Sequence, residues 1–311
     1  MSHEKYQRLI DAAKALQPVP TAVAHPCDES ALSGALDAAK LGLIRPILVG
    51  PTAKIEAVAK RCKLDVSGYE IVDAPHSNAA AAKAVELVAQ GKAEALMKGS
   101  LHTDELMAEV VRKDTGLRTA RRISHCFVMD VPKHATALII SDAAVNIAPT
   151  LEEKVDIVQN AIDLARALRF PEARVAILSA METVNPRVPS TVEAAALCKM
   201  ADRGQISGGV LDGPLALDNA ISPEAAAIKK IVSPVAGRAN VLIVPDLEAG
   251  NMLAKSLSFL AEADSAGIVL GAKVPIILTS RADSVMARLA SCAVAVLVTQ
   301  ARRESAAKAI A

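Results

Sequence analysis

The chain has 311 residues, a formal net charge of +1, and 52% hydrophobic residues, of which aromatics contribute only 2% of the chain and Trp none. That length suits two α/β domains of ordinary size. Near-neutral charge and scarce aromatics leave neither a basic patch nor a stacking platform, so no nucleic-acid partner is expected.

Five cysteines, at positions 27, 62, 126, 198 and 292, are odd in number and form no CxxC. Reduced thiols in a cytoplasmic protein follow, with neither a disulfide framework nor a zinc site. Cys27, on a predicted loop, is the one candidate for a reactive thiol, although a buried bystander is the favoured reading. Residues 1–16 are charged and amphipathic without a signal-peptide core, and no uninterrupted apolar run reaches membrane-span length. No membrane association is expected.

In chain order, Leu9, Ile10, Ala13 and Leu16 have helical spacing, ended by Pro18 and Pro20. A strand over 21–25 follows. Asp28 caps a helix to Leu41, closed by Gly42. Strands at 46–50, 69–72 and 95–98 alternate with helices at 55–62, 79–90 and 101–113. Short buried strands alternating with helices predict a doubly wound, mostly parallel sheet. A basic loop (Arg112, Lys113, Arg118, Arg121, Arg122) reads either as a solvated face or as an anion-pocket lining. Strands at 124–130 and 135–141 form a hairpin, and the polar stretch 142–149 suggests a domain boundary.

Thr150 to Glu153 is a capping box opening a helix to Leu168, and Ser190 to Glu193 a second one. Strands are predicted at 174–180, 206–211, 239–244, 266–270 and 274–278. Pro223 starts a helix to Val232, Gly250-Asn251 opens one to Leu260, and Met286 to Gln300 is the last. Between the final strand and helix lies Thr279-Ser280-Arg281. Its hydroxyl and guanidinium beside free helix amides suit an anion, although Ser280 or Asp283 acting as an N-cap would explain the same residues.

Ligands of open α/β sheets bind beyond the carboxyl ends of strands. Those ends here carry 25–28, 98–103, 142–146, 181–185, 212–214, 246–251 and 280–281, a set of small, hydroxyl, amide and few charged groups suited to a polar phosphorylated ligand. GxGxxG, Walker A and GxSxG motifs are absent, and the six His residues lack metal-ligand spacing, so no metal site is expected.

Residues 98–103 (KGSLHT), 142–149 (DAAVNIAP), 212–220 (DGPLALDNA), 245–251 (PDLEAGN) and 279–284 (TSRADS) together resemble the phosphate acetyl/butyryltransferase family, in order over about residues 20 to 300. GPLALDNA and LTSRADS look like the butyryl-type branch. The whole chain resembles the acetyltransferase module that some bacterial proteins fuse behind a hydratase-like domain, which has no place in these 311 residues.

The resemblance implies two three-layer α/β/α domains with mostly parallel sheets and an interdomain cleft, similar to isocitrate and isopropylmalate dehydrogenases. The first domain would be discontinuous, 1–145 plus 272–311, and the second would span 146–271. The implied reaction is acyl-CoA plus phosphate giving acyl phosphate plus CoA, by direct transfer in a ternary complex. CoA is then a substrate, no cofactor is permanently bound, and a homodimer is expected.

The resemblance places Arg281 on the phosphate and Ser280 on the developing charge or leaving group. Ser100, His102 and Thr103 would shape the site. Asn146, Asp246 and Asn251 would make polar contacts, and one or more of Arg118, Arg121 and Arg122 would bind CoA phosphates. Acetyl-type relatives carry an Asp, a proposed base for the CoA thiol, where this chain has Ala287. Asp283, His102 and Glu182 are the alternatives.

Phosphate acetyltransferase is the leading reading and phosphate butyryltransferase the alternative, since one methylene is worth only ~1–3 kcal/mol of discrimination. A decarboxylating dehydrogenase of the isocitrate or isopropylmalate type is a more distant alternative. It would need a divalent metal and a nicotinamide, and clustered metal carboxylates are missing. A two-lobed binding protein without catalysis is the third possibility.

Overall fold

The structure is a computed structural model and describes residues 4–279 and 283–310. The first part of the chain runs α1 (Glu4–Lys14), β1 (Val19–Ala24), α2 (Glu29–Lys40), β2 (Ile44–Gly50), α3 (Thr52–Cys62), β3 (Glu70–Asp73), α4 (Ser77–Ala89), β4 (Ala95–Lys98) and α5 (Thr103–Val110). The middle runs β5 (Ser124–Asp130), β6 (Leu138–Ser141), α6 (Leu151–Ala167), β7 (Arg174–Leu178), α7 (Pro189–Asp202), β8 (Val210–Leu215), α8 (Leu217–Ile221), α9 (Pro223–Ile228), β9 (Val241–Ile243) and α10 (Leu247–Leu260). The chain ends with β10 (Asp264–Leu270), β11 (Ile276–Ile277) and α11 (Val285–Ile310).

Contacts divide the chain into two units. One comprises residues 6–121 and 266–311, the other 1–5 and 122–265. Compared with the boundaries expected at 145/146 and 271/272, the β5–β6 hairpin goes with the middle of the chain. The reason is pairing: β6 runs parallel to β9, with Ile139 beside Val241 and Ser141 beside Ile243.

In the discontinuous unit the strand order is β3-β2-β1-β4-β11-β10. All neighbours are parallel except β10 and β11. Helix α2 packs against α3 and α11, while α4 packs against α5 and strands β1, β2 and β4. The core is aliphatic: Val23, Leu48, Leu96, Met97 and Ile276 are at most 1% exposed. Each such side chain contributes roughly 1.5–3 kcal/mol by leaving water.

Helix α11 is apolar nearly all round, the mark of a helix surrounded by its own fold or by lipid. Residues 285–308 are long and apolar enough to cross a membrane by length and composition, although charged residues such as Arg288 and Arg302 interrupt the apolar run. Its run from Ala290 to Val298 is buried, and 61% of the most apolar stretch lies inside the protein. Small residues let it pack closely: the Ser291 hydroxyl donates to Ala287 O and accepts from Gly267 N.

In the other unit the order is β5-β6-β9-β7-β8, antiparallel only at β5–β6. Alternate strand residues point to opposite faces. Leu138, Ile140, Ala176, Leu178 and Leu242 share one cluster with Ala220 and Ala226 from α8 and α9. Strand β8 runs through Asp212-Gly213-Pro214 instead of ending before it. As the edge strand it tolerates a proline, which has no N–H to give.

Several helix starts differ from expectation. Ser190 does not open α7: Pro189 takes the first position and the Ser190 hydroxyl bonds Ser179 Oγ at 2.8 Å. Helix α10 begins at Leu247, three residues before Gly250, because Asp246 caps it by accepting from Ala249 N at 2.8 Å. Helix α5 is shorter than the predicted 101–113. Strand β11 has only two residues. Thr150 and Asp28 cap α6 and α2, and Pro223 opens α9, as the sequence suggests, with Ser222 as the α9 cap.

Candidate active site

Strands β1, β4 and β11 are parallel neighbours, with Ala24 beside Lys98 and Ile277 beside Met97. Their carboxyl ends therefore release 25–28, 99–103 and 278–279 on one edge of the discontinuous unit. Ser280 and Arg281, the residues expected to hold the phosphate, lie outside the described residues.

At the end of β1, His25 adopts φ +54, a left-handed conformation that costs roughly 1–2 kcal/mol for a residue with a side chain. Its backbone is over-determined. His25 N donates to Val49 O at 2.7 Å, and Gly99 N and Ser100 N donate back to Ala24 O and His25 O at 2.9 Å each. The β4 turn comes so close that a Cβ on Gly99 would sit 2.3 Å from Ala24 O and 2.6 Å from His25 O. Only glycine fits there, and that is the physical content of the Lys98-Gly99-Ser100 motif.

The Ser100 hydroxyl is the hub of this turn. It donates to His25 O at 2.7 Å, accepts from Cys27 N at 3.1 Å, and lies 3.2 Å from His25 Nδ1. Burial, then the Lys54 ammonium, holds His25 below the ordinary histidine range, with Glu105 and Asp28 pulling the other way. Burial also pushes the Cys27 thiol up to about 11, outweighing Lys54. Cys27 is thus a protonated, inert thiol, the bystander reading rather than the reactive one.

His102 is exposed at the start of α5. Its N–H donates to Glu105 Oε2 at 3.0 Å, and Ser77 Oγ donates to Glu105 Oε1 at 3.0 Å, which braces α5 to the start of α4. Thr103 is half-buried in the first turn. At α11 the cap is Ser284, whose hydroxyl accepts from Ala287 N at 3.0 Å, and not Asp283. Arg288 donates to the Asp283 backbone carbonyl at 2.6 Å. Ala287 is 2% exposed and has no group that could take a proton. Glu182 is engaged by Lys229 at 2.7 Å and by Asn219 Nδ2 at 3.3 Å, and the Lys229 hydrogen bond holds its carboxyl below the usual range.

Arg118 and Arg121 belong to the discontinuous unit, on a loop stitched to residues 271–273. Thr119 Oγ1 donates to Gly271 O at 2.6 Å, Lys273 N donates to Leu117 O at 2.8 Å, and Arg118 bridges Ala272. Arg118 is exposed and Arg121 half-buried. Arg122 belongs to the other unit, where Nε donates to Asn146 Oδ1 at 2.7 Å and a terminal nitrogen meets Glu153 at 2.9 Å.

Asn146 is buried and fully used. Its amide nitrogen donates to Ile123 O at 2.9 Å and Asp142 Oδ2 at 2.5 Å while its oxygen holds Arg122. Asp142 also accepts from the backbone N–H groups of Ala144, Val145 and Asn146. Asn251 reaches Ala143 O at 3.3 Å, and Gly250 lets α10 close on this loop, since a Cβ there would lie 2.7 Å from Asp142 O. Asp246 serves as the α10 cap.

Among the described residues no cluster of three His, Cys, Asp or Glu could hold a metal, and the five cysteines are free. A hollow of about 400 Å³ in the discontinuous unit lies between Gln17, Pro18, Ile44, Arg45 and Tyr69, at the amino ends of β1 and β2, away from the strand-end turns.

Sequence reasoning missed His25 and Lys54 as site residues. The motif 25–28 was visible at a strand end, but nothing in the sequence says that β1 neighbours β4, and that adjacency joins His25 to Ser100.

Comparison with known proteins identifies the family. The phosphate acetyl/butaryl transferase family matches residues 76–296. A phosphate acetyltransferase from Rhizobium meliloti is 68% identical over 299 residues, covering 96% of this chain and 95% of the relative. A phosphate butyryltransferase from Clostridium acetobutylicum is 42% identical over 295 residues, covering 95% and 98%. The crystal structure of a branched-chain phosphotransacylase from Enterococcus faecalis V583 superposes with a TM-score of 0.78 at 30% identity, covering 90% of this chain and 99% of that one. The family match spans more than half the chain and the relatives align over nearly their whole lengths, so this chain belongs to the phosphate acetyl/butyryltransferase family.

Proposed function

We propose that the chain is a phosphate acetyltransferase, interconverting acetyl-CoA plus phosphate with acetyl phosphate plus CoA. The observation that carries the acetyl assignment is the 68% identity to a phosphate acetyltransferase, against 42% to a butyryltransferase. The reaction asks for an anion clamp, positioning and charge stabilisation more than for covalent catalysis. Arg281 grips the phosphoryl group with paired hydrogen bonds and Ser280 donates to the oxyanion of the tetrahedral intermediate. Ser100, Thr103 and His102 help shape the site. One or more of Arg118, Arg121 and Arg122 binds CoA phosphates. Asp246 and Asn251 act through the α10 start that they hold. CoA is a substrate, and no resident cofactor takes part.

A cytoplasmic homodimer is the proposed state. Ile147, Met252, Phe259 and Leu260 are 63–84% exposed in the second unit and would supply an apolar face for it.

Phosphorus NMR of the protein with inorganic phosphate and either acetyl-CoA or butyryl-CoA tests the assignment. A new acyl phosphate signal, growing faster with acetyl-CoA, supports it. Faster growth with butyryl-CoA reassigns the substrate, and no acyl phosphate from either thioester removes the reading.

A further inference from the structure

Transfer from acetyl phosphate to CoA requires a base, because a thiol near pH 7 is almost wholly protonated and only the thiolate attacks. Ala287, where the family resemblance would put an Asp base, is buried and has no group that could take a proton. We propose that His25 is the general base for the CoA thiol, presented through Nε2 and held in the Nδ1–H tautomer by Ser100. The inference rests on the phosphate acyltransferase reading and assigns a residue to one of its steps.

The tautomer follows from counting protons. A carbonyl oxygen has no hydrogen, so in the 2.7 Å contact with His25 O the Ser100 hydroxyl is the donor. Toward Cys27 N and His25 Nδ1 the same oxygen can only accept. With the hydroxyl proton on His25 O, the proton of the Ser100–His25 contact comes from Nδ1, and in a neutral imidazole Nε2 is left as an acceptor. No described residue hydrogen-bonds that nitrogen, and His25 is half-buried. The left-handed backbone at φ +54 is an independent sign of a residue held in place against its own preference.

The charges around the ring suit the task. Lys54 on α3 and burial keep it unprotonated near neutral pH, while Asp28 at the start of α2 and Glu105 on α5 keep its basicity from falling further. Cys27, the nearest thiol on its own loop, stays protonated and does not compete.

In the step itself the CoA S–H proton moves to His25 Nε2. The thiolate sulfur forms a bond to the acetyl carbonyl carbon, and the bond from that carbon to the phosphate oxygen breaks. The departing phosphate takes the electron pair and then the proton from His25. Acetyl phosphate plus CoA thus give acetyl-CoA and hydrogen phosphate, with the imidazole neutral again.

The test combines a structural and a kinetic readout on the full chain. Nitrogen-15 NMR of the histidines, with His25 assigned by its loss in His25→Asn, should show a protonated Nδ1 and a bare Nε2 at pH 7, and Ser100→Ala should disturb that ratio. Asn is the chosen replacement because it tolerates positive φ. With acetyl phosphate and CoA, His25→Asn should lower kcat/KM on the order of 10²-fold at pH 7. The variant's rate should then climb about tenfold per pH unit below the pKa of the CoA thiol, with added imidazole restoring part of it. An Nε2–H tautomer in the wild type, or a folded His25→Asn variant with the wild-type rate and pH profile, would overturn the role. An inactive wild type would instead sink the acyltransferase reading, and this role with it.

Discussion

The turn at His25, Gly99 and Ser100 and the loop at Asp142, Asn146 and Arg122 are made of the same kinds of residue, yet they do opposite things with their polar atoms. In the second, bonds close on themselves: Asp142 takes three backbone donors and an amide, and Asn146 spends both ends of its amide on Asp142, Ile123 and Arg122. In the first, one hydroxyl fixes a backbone and a ring while leaving a ring nitrogen open. A closed network makes a brace, and a network with an open end makes a reagent.

Changes that break the close approach at the first turn should have the largest effect on stability. Gly99→Ala forces a Cβ to 2.3 Å from Ala24 O, where backbone rather than a flexible side chain must yield. We expect a loss of ~3 kcal/mol or more in urea unfolding; a wild-type midpoint would show that the turn is not tightly constrained.

Next is a pH effect on the strand that leads to the brace. His125 is buried on β5 against Phe127, its Nδ1 without a partner among the described residues, and burial holds it at about 4. The unfolded chain, at about 6.5, binds the proton first. Stability from this group is therefore complete above pH 6.5 and lost as pH falls toward 4, by an upper limit on the order of 3 kcal/mol. Unfolding free energies of wild type and His125→Gln at pH 7 and pH 4 should show a shallower fall in the variant; equal slopes would contradict it.

Asn146→Ala sharpens the comparison directly. It strips donors from the buried Asp142 and frees Arg122, which should cost ~2 kcal/mol of stability with kcat changed only a few-fold. A collapse of kcat in a variant of unchanged stability would move Asn146 from the brace into the chemistry. The smallest effect should come from Arg303→Ala. Its ion pair with Glu94 at 2.6 Å is about a third exposed, and double-mutant analysis should return under ~1 kcal/mol.

Much of this was legible in the sequence because the signals are local. Alternation of apolar runs with helical periodicity gave the α/β class, and Asp28, Thr150 and Pro223 marked helix starts that the structure keeps. Where a local signal had a competitor the reading slipped. Ser190 looked like a cap until Pro189 took the first helical position, and Asp212-Gly213-Pro214 looked like a strand end because an edge strand cannot be recognised before the sheet order is known. The site was harder for the same reason. Ser100 stood out in its motif, but its partner His25 lies 75 residues away, and only the parallel pairing of β1 with β4 brings them together.

The most direct test of the account is phosphate-dependent loss of the thioester absorbance of acetyl-CoA, followed for the wild type and for Arg281→Ala with folding checked by circular dichroism. The account predicts turnover that needs phosphate and falls by about 10²–10³-fold in the variant. Thioester loss that ignores phosphate, no loss in folded wild type, or an unimpaired variant would contradict it.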